Sequence, residues 1–336
     1  MDILKKIAAR GHEQVIAFND AASGLHGFLA IHNTNLGPAL GGVRILPYKK
    51  EEDALADALR LSRAMTYKCA LAEMPAGGGK AVIIDHKDLK RAEAFTAFGR
   101  LVASLGGRFF TGGDVGITPE DLAAVRQGTN YVACENSHQL GDINEHTATG
   151  VWHGLRACLD FTGIRKPRVA IQGVGNVGHW LARILAKEGF EILLADKDSR
   201  RAQKVAKELG AKVVPPGRIL SVPCDVLAPC ALGGVINVKS RKQLKAKIIC
   251  GAANNVLATP KDGDALARRG ILYAPDYLVN AGGVIRGGEF YLLKKKDSGK
   301  SLEKIYDRMT RVAKMASARQ TSTARMADEL AESRFQ

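Results

Sequence analysis

The chain has 336 residues, 46% of them hydrophobic, and carries 49 Lys and Arg against 34 Asp and Glu, a formal charge of +15. This length predicts two domains; no run reaches the ~20 uninterrupted apolar residues of a membrane span, and the opening MetAspIleLeuLysLysIle lacks the apolar stretch of a secretory signal. The basic residues are spread out, densest at Arg200–Arg201, Arg241 to Lys247 and Lys294 to Lys300, without interleaved aromatics, and read as solvated faces before a nucleic-acid surface. Six cysteines, at 69, 134, 158, 224, 230 and 250, form no C-x-x-C pair, and the eight histidines are scattered. That pattern suits buried thiols in a reducing, cytoplasmic setting and offers no metal site.

In chain order, 14–18 and 27–31 read as strands, and Glu51 to Thr66 as a helix with Leu55, Ala58 and Leu59 inward. AlaValIleIle (81–84) is a strand, Leu89 to Leu105 a helix, ArgPhePhe (108–110) a strand, and Pro119 opens another helix. The polar stretch Glu135 to Glu145 is the expected domain boundary, and a helix from Thr147 to Phe161 follows. Strands at 168–171, 191–195, 212–214, 225–228, 247–250 and 271–273 then alternate with helices, as in a doubly wound parallel sheet. Leu302 to Ala316 and Ser322 to Glu332 close the chain as helices.

The run GlyValGlyAsnValGly (173–178) follows the apolar ArgValAlaIleGln and opens a helix, Asn176 to Lys187, with Val177, Trp180, Leu181 and Ile184 on one face. Strand, glycine turn and helix together predict a dinucleotide site. Gly173 makes the turn, Gly175 lets a pyrophosphate approach, and Gly178 lets helix pack on strand. The N–H groups opening the helix, at Asn176 and Val177, face the phosphates. Asp196 ends the next strand, near the expected distance of about 20 residues for a ribose-binding carboxylate, and favours NAD over NADP. Lys197, Arg200 and Arg201 nearby pull the other way.

The N-terminal half is then left to hold substrate. Lys68 lies in ThrTyrLysCysAla, Lys80 follows three glycines and is expected at a strand's start, and Asp114 sits on a loop after ArgPhePhe. In a dry cleft one lysine loses basicity and serves as a base, while a second stays charged and holds a carboxylate.

These motifs resemble the glutamate, leucine, phenylalanine and valine dehydrogenases, the leucine branch above all. The matching segments are LeuGlyProAlaLeuGlyGlyValArg (36–44), AspAlaLeuArgLeuSerArgAlaMetThrTyrLys (57–68), ProAlaGlyGlyGlyLys (75–80), AspValGlyIleThr (114–118), GlnGlyValGlyAsnValGly (172–178), AlaProCysAlaLeuGly (228–233), GlyAlaAlaAsnAsn (251–255) and AlaProAspTyrLeuValAsnAlaGlyGlyValIle (274–285). They occur in family order and span nearly the whole chain. The resemblance implies an α/β protein of two domains. Residues 1–140 would form a substrate-binding and oligomerisation domain with a mixed sheet, and 147–300 a Rossmann-type NAD domain. Helices would fill 301–336, the last (about 320–336) packing back on the first domain. It implies reversible NAD-dependent deamination of an apolar L-amino acid to its 2-oxo acid and ammonia by a homo-oligomer.

Carried over by position, Lys68 would bind the substrate carboxylate with Gly41 and Gly42 lining its site. Lys80 would be the general base, and Asp114 would exchange protons with the substrate nitrogen. Asn254 would lie beside the nicotinamide, with Thr147 facing the interdomain cleft and Ala231 near the cofactor. Leu40, Gly112, Val284 and Gly287 would line the side-chain pocket.

Leucine-type relatives carry aliphatic residues where Gly112 and Gly287 stand. Two explanations remain: a pocket enlarged for a phenyl or indole ring, or a shifted loop at ValIleArgGlyGlyGlu (284–289). AspIleAsnGluHisThrAla (142–148) also replaces the usual proline-serine-proline lead-in to Thr147. Branched-chain substrates are the first expectation and aromatic ones the alternative. A non-catalytic NAD or amino-acid sensor is the reading from another class.

Overall fold

The computed structural model describes residues 3–133 and 140–336. Cys134 and the 135–139 part of the expected boundary lie outside the described residues. Two compact units emerge: Met1–Gly141 with Phe290–Lys294 and Ala331–Gln336, and Asp142–Glu289 with Lys295–Leu330.

The first unit runs α1 (Ile3–Arg10), β1 (Gln14–Asp20), β2 (Leu25–Asn33), β3 (Ala39–Leu40), β4 (Val43–Leu46), α2 (Glu51–Leu71), β5 (Gly77–Ile84), α3 (Arg91–Ser104), β6 (Phe109–Phe110) and α4 (Pro119–Gly128). Its sheet is mixed, in the order β1-β2-β5-β3-β6, with β4 also on β5. The β1–β2 and β2–β5 pairs are antiparallel, whereas β3, β4 and β6 join in parallel. β5 is buried along its whole length. On one face Ala81 and Ile83 pack with Phe95, Phe98 and Phe109. On the other Val82 and Ile84 pack with Ala54, Leu55 and Ala58 of α2. Acidic residues in the first turn of α2 and Lys68 in its last suit the helix dipole. Pro119 and a Thr118–Asp121 capping box start α4.

β5 corrects an expectation. The three glycines belong to the strand, and Lys80 is its fourth residue rather than its start. A Cβ on Gly77 would lie 1.8 Å from the Asn33 carbonyl oxygen, on Gly78 2.1 Å from the Thr66 nitrogen, and on Gly79 2.7 Å from the Phe109 ring. Neighbours occupy the space of the missing side chains, so the run packs a strand instead of making a loop.

The second unit contains α5 (Ile143–Thr162), β7 (Arg168–Gln172), α6 (Asn176–Lys187), β8 (Glu191–Ala195), α7 (Ser199–Leu209), β9 (Lys212–Val213), β10 (Val226–Pro229), β11 (Ile248–Ile249), α8 (Pro260–Arg268), β12 (Leu272–Tyr273) and α9 (Asp276–Val279). Three more helices follow in the chain: α10 (Gly282–Tyr291), α11 (Gly299–Ala318) and α12 (Thr323–Phe335). The sheet order β12-β11-β10-β7-β8-β9 is parallel throughout, with β7 and β10 adjacent. That is the doubly wound order whose direction reverses between β7 and β10, where ligands bind beyond the strands' carboxyl ends.

Several expectations shift here. α11 belongs to the second unit and only 331–336 to the first, so residues 301–336 do not stand apart. The segment 284–289 is helical, not a displaced loop, because α10 runs from Gly282 with Ile285, Arg286 and Glu289 buried. α5 begins at Ile143 instead of Thr147, since Asp142 caps it by accepting from the Asn144 N–H. On α6 the buried face is Gly178, Leu181, Ala182 and Leu185, while Trp180 is half-buried and donates its indole N–H to Asp142 at 2.7 Å.

Candidate active site

Alternation along β5 puts Lys80 on the same face as Val82, toward α2. Register pairs Arg44 of β4 with Val82, so both cations emerge on that face. The loop after β6 returns Asp114 to meet them. Lys80 Nζ and Arg44 Nε each lie 2.8 Å from the same oxygen, Asp114 Oδ2. Arg44 Nη1 reaches back to Asp57 of α2 at 2.8 Å, and Asp57 also accepts from Tyr48 Oη at 2.7 Å and pairs with Arg60 at 2.5 Å. Five side chains thus form one continuous polar line, Lys80–Asp114–Arg44–Asp57–Tyr48, buried at Lys80 and half-buried beyond it.

The Lys80 side chain is 7% exposed. Burial holds its ammonium below the ordinary lysine range; Asp114 opposes that shift, and Arg44 reinforces it. For Asp114, burial would raise the carboxyl, but Lys80 and Arg44 together hold it below its ordinary value. Tyr48 is pushed well up by burial and then by Asp57. The pair can therefore present a lysine that gives up its proton below the usual alkaline range beside a carboxylate that is charged at rest.

Lys68 stands on α2 with Asp57. Residues 57, 61, 64 and 68 follow the spacing of one helical stripe, placing Lys68 about 16 Å along the axis from Asp57. Leu40 is buried and pairs in register with Phe110. A Cβ on Gly41 would fall 1.7 Å from the Gly79 oxygen and on Gly42 2.8 Å from the Gly113 oxygen, so both glycines let the chain lie against its neighbours. At Gly112 an added Cβ would meet the Ala133 Cβ at 3.3 Å.

Sequence reasoning passed over Arg44, Asp57 and Tyr48. Arg44 was marked by being a charge among the apolar residues of ValArgIleLeu. Its partners lie on other elements.

In the second unit, Gly173 turns the chain at φ 93° directly after β7, and its N–H donates to the Ala195 oxygen at 2.7 Å. Asp196 is 9% exposed. Its Oδ2 accepts from the Val174 N–H and its Oδ1 from the Asp198 N–H, each at 2.9 Å, tying the glycine loop to the end of β8. Arg201 lies 3.7 Å from Asp196 and 3.6 Å from Asp198. A Cβ on Gly178 would strike the Gly173 oxygen at 2.1 Å, and one on Gly173 would meet the Ala231 Cβ at 2.7 Å. Gly175 differs. It caps α6 with no side-chain bond, and among the described residues nothing comes within 4 Å of its absent Cβ. Among the described residues no neighbour requires glycine there, and the open space over the start of α6 would admit a pyrophosphate, so the loop fits a dinucleotide. Asn176 is exposed and Val177 half-buried beside it.

Asn254 is exposed, and its Oδ1 accepts from Asn280 Nδ2 at 2.9 Å, which also donates to the Ala252 oxygen at 3.1 Å. Thr147 donates its hydroxyl to the Ile143 oxygen at 2.8 Å. Val284 and Gly287 lie three apart on α10, hence on one face, and Gly287 opens on free space among the described residues.

Residues 12–133 match the family model for the Glu/Leu/Phe/Val dehydrogenase dimerisation domain, and residues 190–331 the model for glutamate/leucine/phenylalanine/valine dehydrogenase. The chain belongs to this dehydrogenase family. It is an oxidoreductase acting on the CH–NH2 group of amino acids, in a family of pyridine-nucleotide-dependent enzymes. The leucine dehydrogenase of Geobacillus stearothermophilus is 42% identical over 344 residues, covering 100% of this chain and 94% of that one. The phenylalanine dehydrogenase of Caldalkalibacillus thermarum is 44% identical over 338 residues, covering 97% and 91%. The crystal structure of L-tryptophan dehydrogenase from Nostoc punctiforme superposes with a TM-score of 0.86 at 40% identity, covering 99% and 98%. The relatives thus divide among three substrates at nearly equal identity.

Proposed function

We propose that this dehydrogenase catalyses reversible, NAD-dependent deamination of an apolar L-amino acid, with Lys80 as general base. The observation that carries the reading is the buried Lys80–Asp114 pair, 2.8 Å apart. The substrate carboxylate rests on Lys68 beside the Gly41–Gly42 backbone. Asp114 uses Oδ2 for Lys80 and Arg44, and its Oδ1 takes a proton from the substrate ammonium, leaving the amine neutral. The loop 173–178, with Asp196, Thr147, Ala231 and Asn254, would hold the nicotinamide cofactor, which would supply the acceptor for the hydride leaving Cα. Neutral Lys80 removes a proton from water as its oxygen bonds to the imino carbon. Its ammonium then steadies the carbinolamine oxygen until ammonia leaves with a proton and the 2-oxo acid remains.

Asp196 favours NAD because an anion beside the ribose repels a 2′-phosphate. Leucine and its branched neighbours are the first substrate class. The open space at Gly287 supports phenylalanine or tryptophan as the second reading. A homo-oligomer built through the first unit fits the dimerisation-domain match. The five described cysteines are free thiols, Cys69 and Cys230 pushed up to about 12 by burial, and suit a reducing cytoplasm.

The test is reduction of NAD and of NADP with a panel of L-amino acids at alkaline pH. Turnover with leucine, isoleucine or valine supports the first class, and turnover confined to aromatic substrates selects the second. Lys80→Ala should lose turnover by about 10²–10⁴-fold with nucleotide binding intact. No turnover in either direction by folded protein would replace the enzyme with a sensor.

A further inference from the structure

Arg44 does more than fill space beside Asp114. Its guanidinium is fixed between two carboxylates on different elements, Asp57 of α2 and Asp114 of the loop after β6, at 2.8 Å each. It shares with Lys80 the same oxygen of Asp114. Asp57 is in turn held from two further sides, by Tyr48 and Arg60. A carboxylate oxygen divided between two cations grips each less strongly than it would grip one. Lys80 acts as a base only after it lets go of its proton, so whatever weakens that grip raises the fraction of lysine ready to act.

Resting on the Lys80 assignment above, we propose that Arg44 is a positioning residue that competes with Lys80 for Asp114, and that Asp57 sets how much of Arg44 reaches that carboxylate. Of the charged groups on elements packed on β5, Arg44 of β4 and Asp57 of α2 act on Lys80, with Tyr48 and Arg60 bonded to Asp57, while α2 also carries Glu51, Glu52, Asp53, Arg63 and Lys68. Asp114 comes from the loop, and from β2 His32 turns to the Thr66 hydroxyl at 2.8 Å instead. Burial, Asp114, Arg44 and Asp57 all act on the Lys80 proton, Arg44 lowering its affinity and Asp57 raising it.

The two residues must therefore work in opposite directions. Removing the cation with Arg44→Gln lets Asp114 close on Lys80 and should move the Lys80 titration to higher pH. Removing the anion with Asp57→Asn hands Arg44 wholly to Asp114 and should move it lower. Each shift is expected to be about one pH unit, a tenfold change in neutral lysine below the midpoint. Arg44→Lys keeps the charge and should stay near the wild-type midpoint while losing the two-carboxylate fork.

The experiment is competitive acylation of the full-length protein across pH, with Lys80 modification quantified by peptide mass spectrometry, without substrate or cofactor. The acid limb of kcat/KM is followed in parallel. Opposite displacements of the Lys80 midpoint in Arg44→Gln and Asp57→Asn support the proposal. Equal midpoints, or displacement of both variants in one direction, overturn it and leave Arg44 a structural bridge. If Arg44→Gln does not fold, Asp57→Asn and Arg44→Lys still decide the sign. Split midpoints in a protein that turns over no amino acid would uphold the positioning role and sink the dehydrogenase reading.

Discussion

Gly77 to Gly79 with Gly41 in the first unit, and Gly173 to Gly178 in the second, look alike on paper: each is a glycine cluster next to a strand. In the first unit every one of these glycines is crowded by the protein's own atoms, from 1.7 Å at Gly41 to 2.7 Å at Gly79. In the second unit Gly173 and Gly178 are crowded as well, but Gly175 faces space that nothing in the described residues fills. A glycine required by packing and a glycine required by a ligand are indistinguishable by residue type. What separates them is which neighbour would collide with a side chain.

The sharpest way to break this contrast is to add a methyl group on each side of it. Gly41→Ala should cost the first unit about 3 kcal/mol or more, because the obstructing atom is a backbone oxygen that cannot rotate away; a thermal melt reads this directly. Gly175→Ala should leave the melting temperature nearly unchanged and weaken nucleotide binding at least tenfold, about 1.4 kcal/mol, by titration calorimetry. A stable Gly41→Ala protein, or a Gly175→Ala protein that binds as before, would dissolve the distinction.

A milder case is Gly287 on α10, open like Gly175. Gly287→Leu should fold normally and shift kcat/KM from aromatic toward smaller substrates by about 1–3 kcal/mol, measured on paired substrates. A further effect concerns pH. His32 is held to about 4 by burial, with His12 and Arg63 adding to it. Its folded value lies below the ordinary 6.5, so the unfolded chain binds the extra proton. Stability from this group is full above 6.5 and is lost as pH falls toward 4. Melts between pH 7 and 4 should show that loss, and His32→Asn should flatten it.

Much of this was legible in the chain. The apolar run, turn glycines and helix of 168–187 made the strand, turn and helix legible because each signal is local. Lys68, Lys80 and Asp114 were visible as reactive residue types in glycine-rich settings. The Lys80 strand was misjudged because three glycines lower strand propensity, and only Asn33, Thr66 and Phe109 explain them. α10 escaped for the same kind of reason, with Gly282, Gly283, Gly287 and Gly288 arguing against a helix that buried Ile285 and Arg286 sustain. The Arg44–Asp57 bridge was hidden because it depends on how β4 lies against α2, which no short window of sequence contains.

The chain leaves the first unit after Gly141 and returns to it for Phe290–Lys294 and again for Ala331–Gln336. That last return is specific: the Phe335 ring stands against His32 and Tyr67, and its carbonyl oxygen accepts from Asn35 at 2.8 Å. During translation the ribosome therefore delivers the whole second unit before it delivers Ala331–Gln336 of the first. Until then residues 1–133 wait with the face that receives Phe335 uncovered, an intermediate still short of its last contacts.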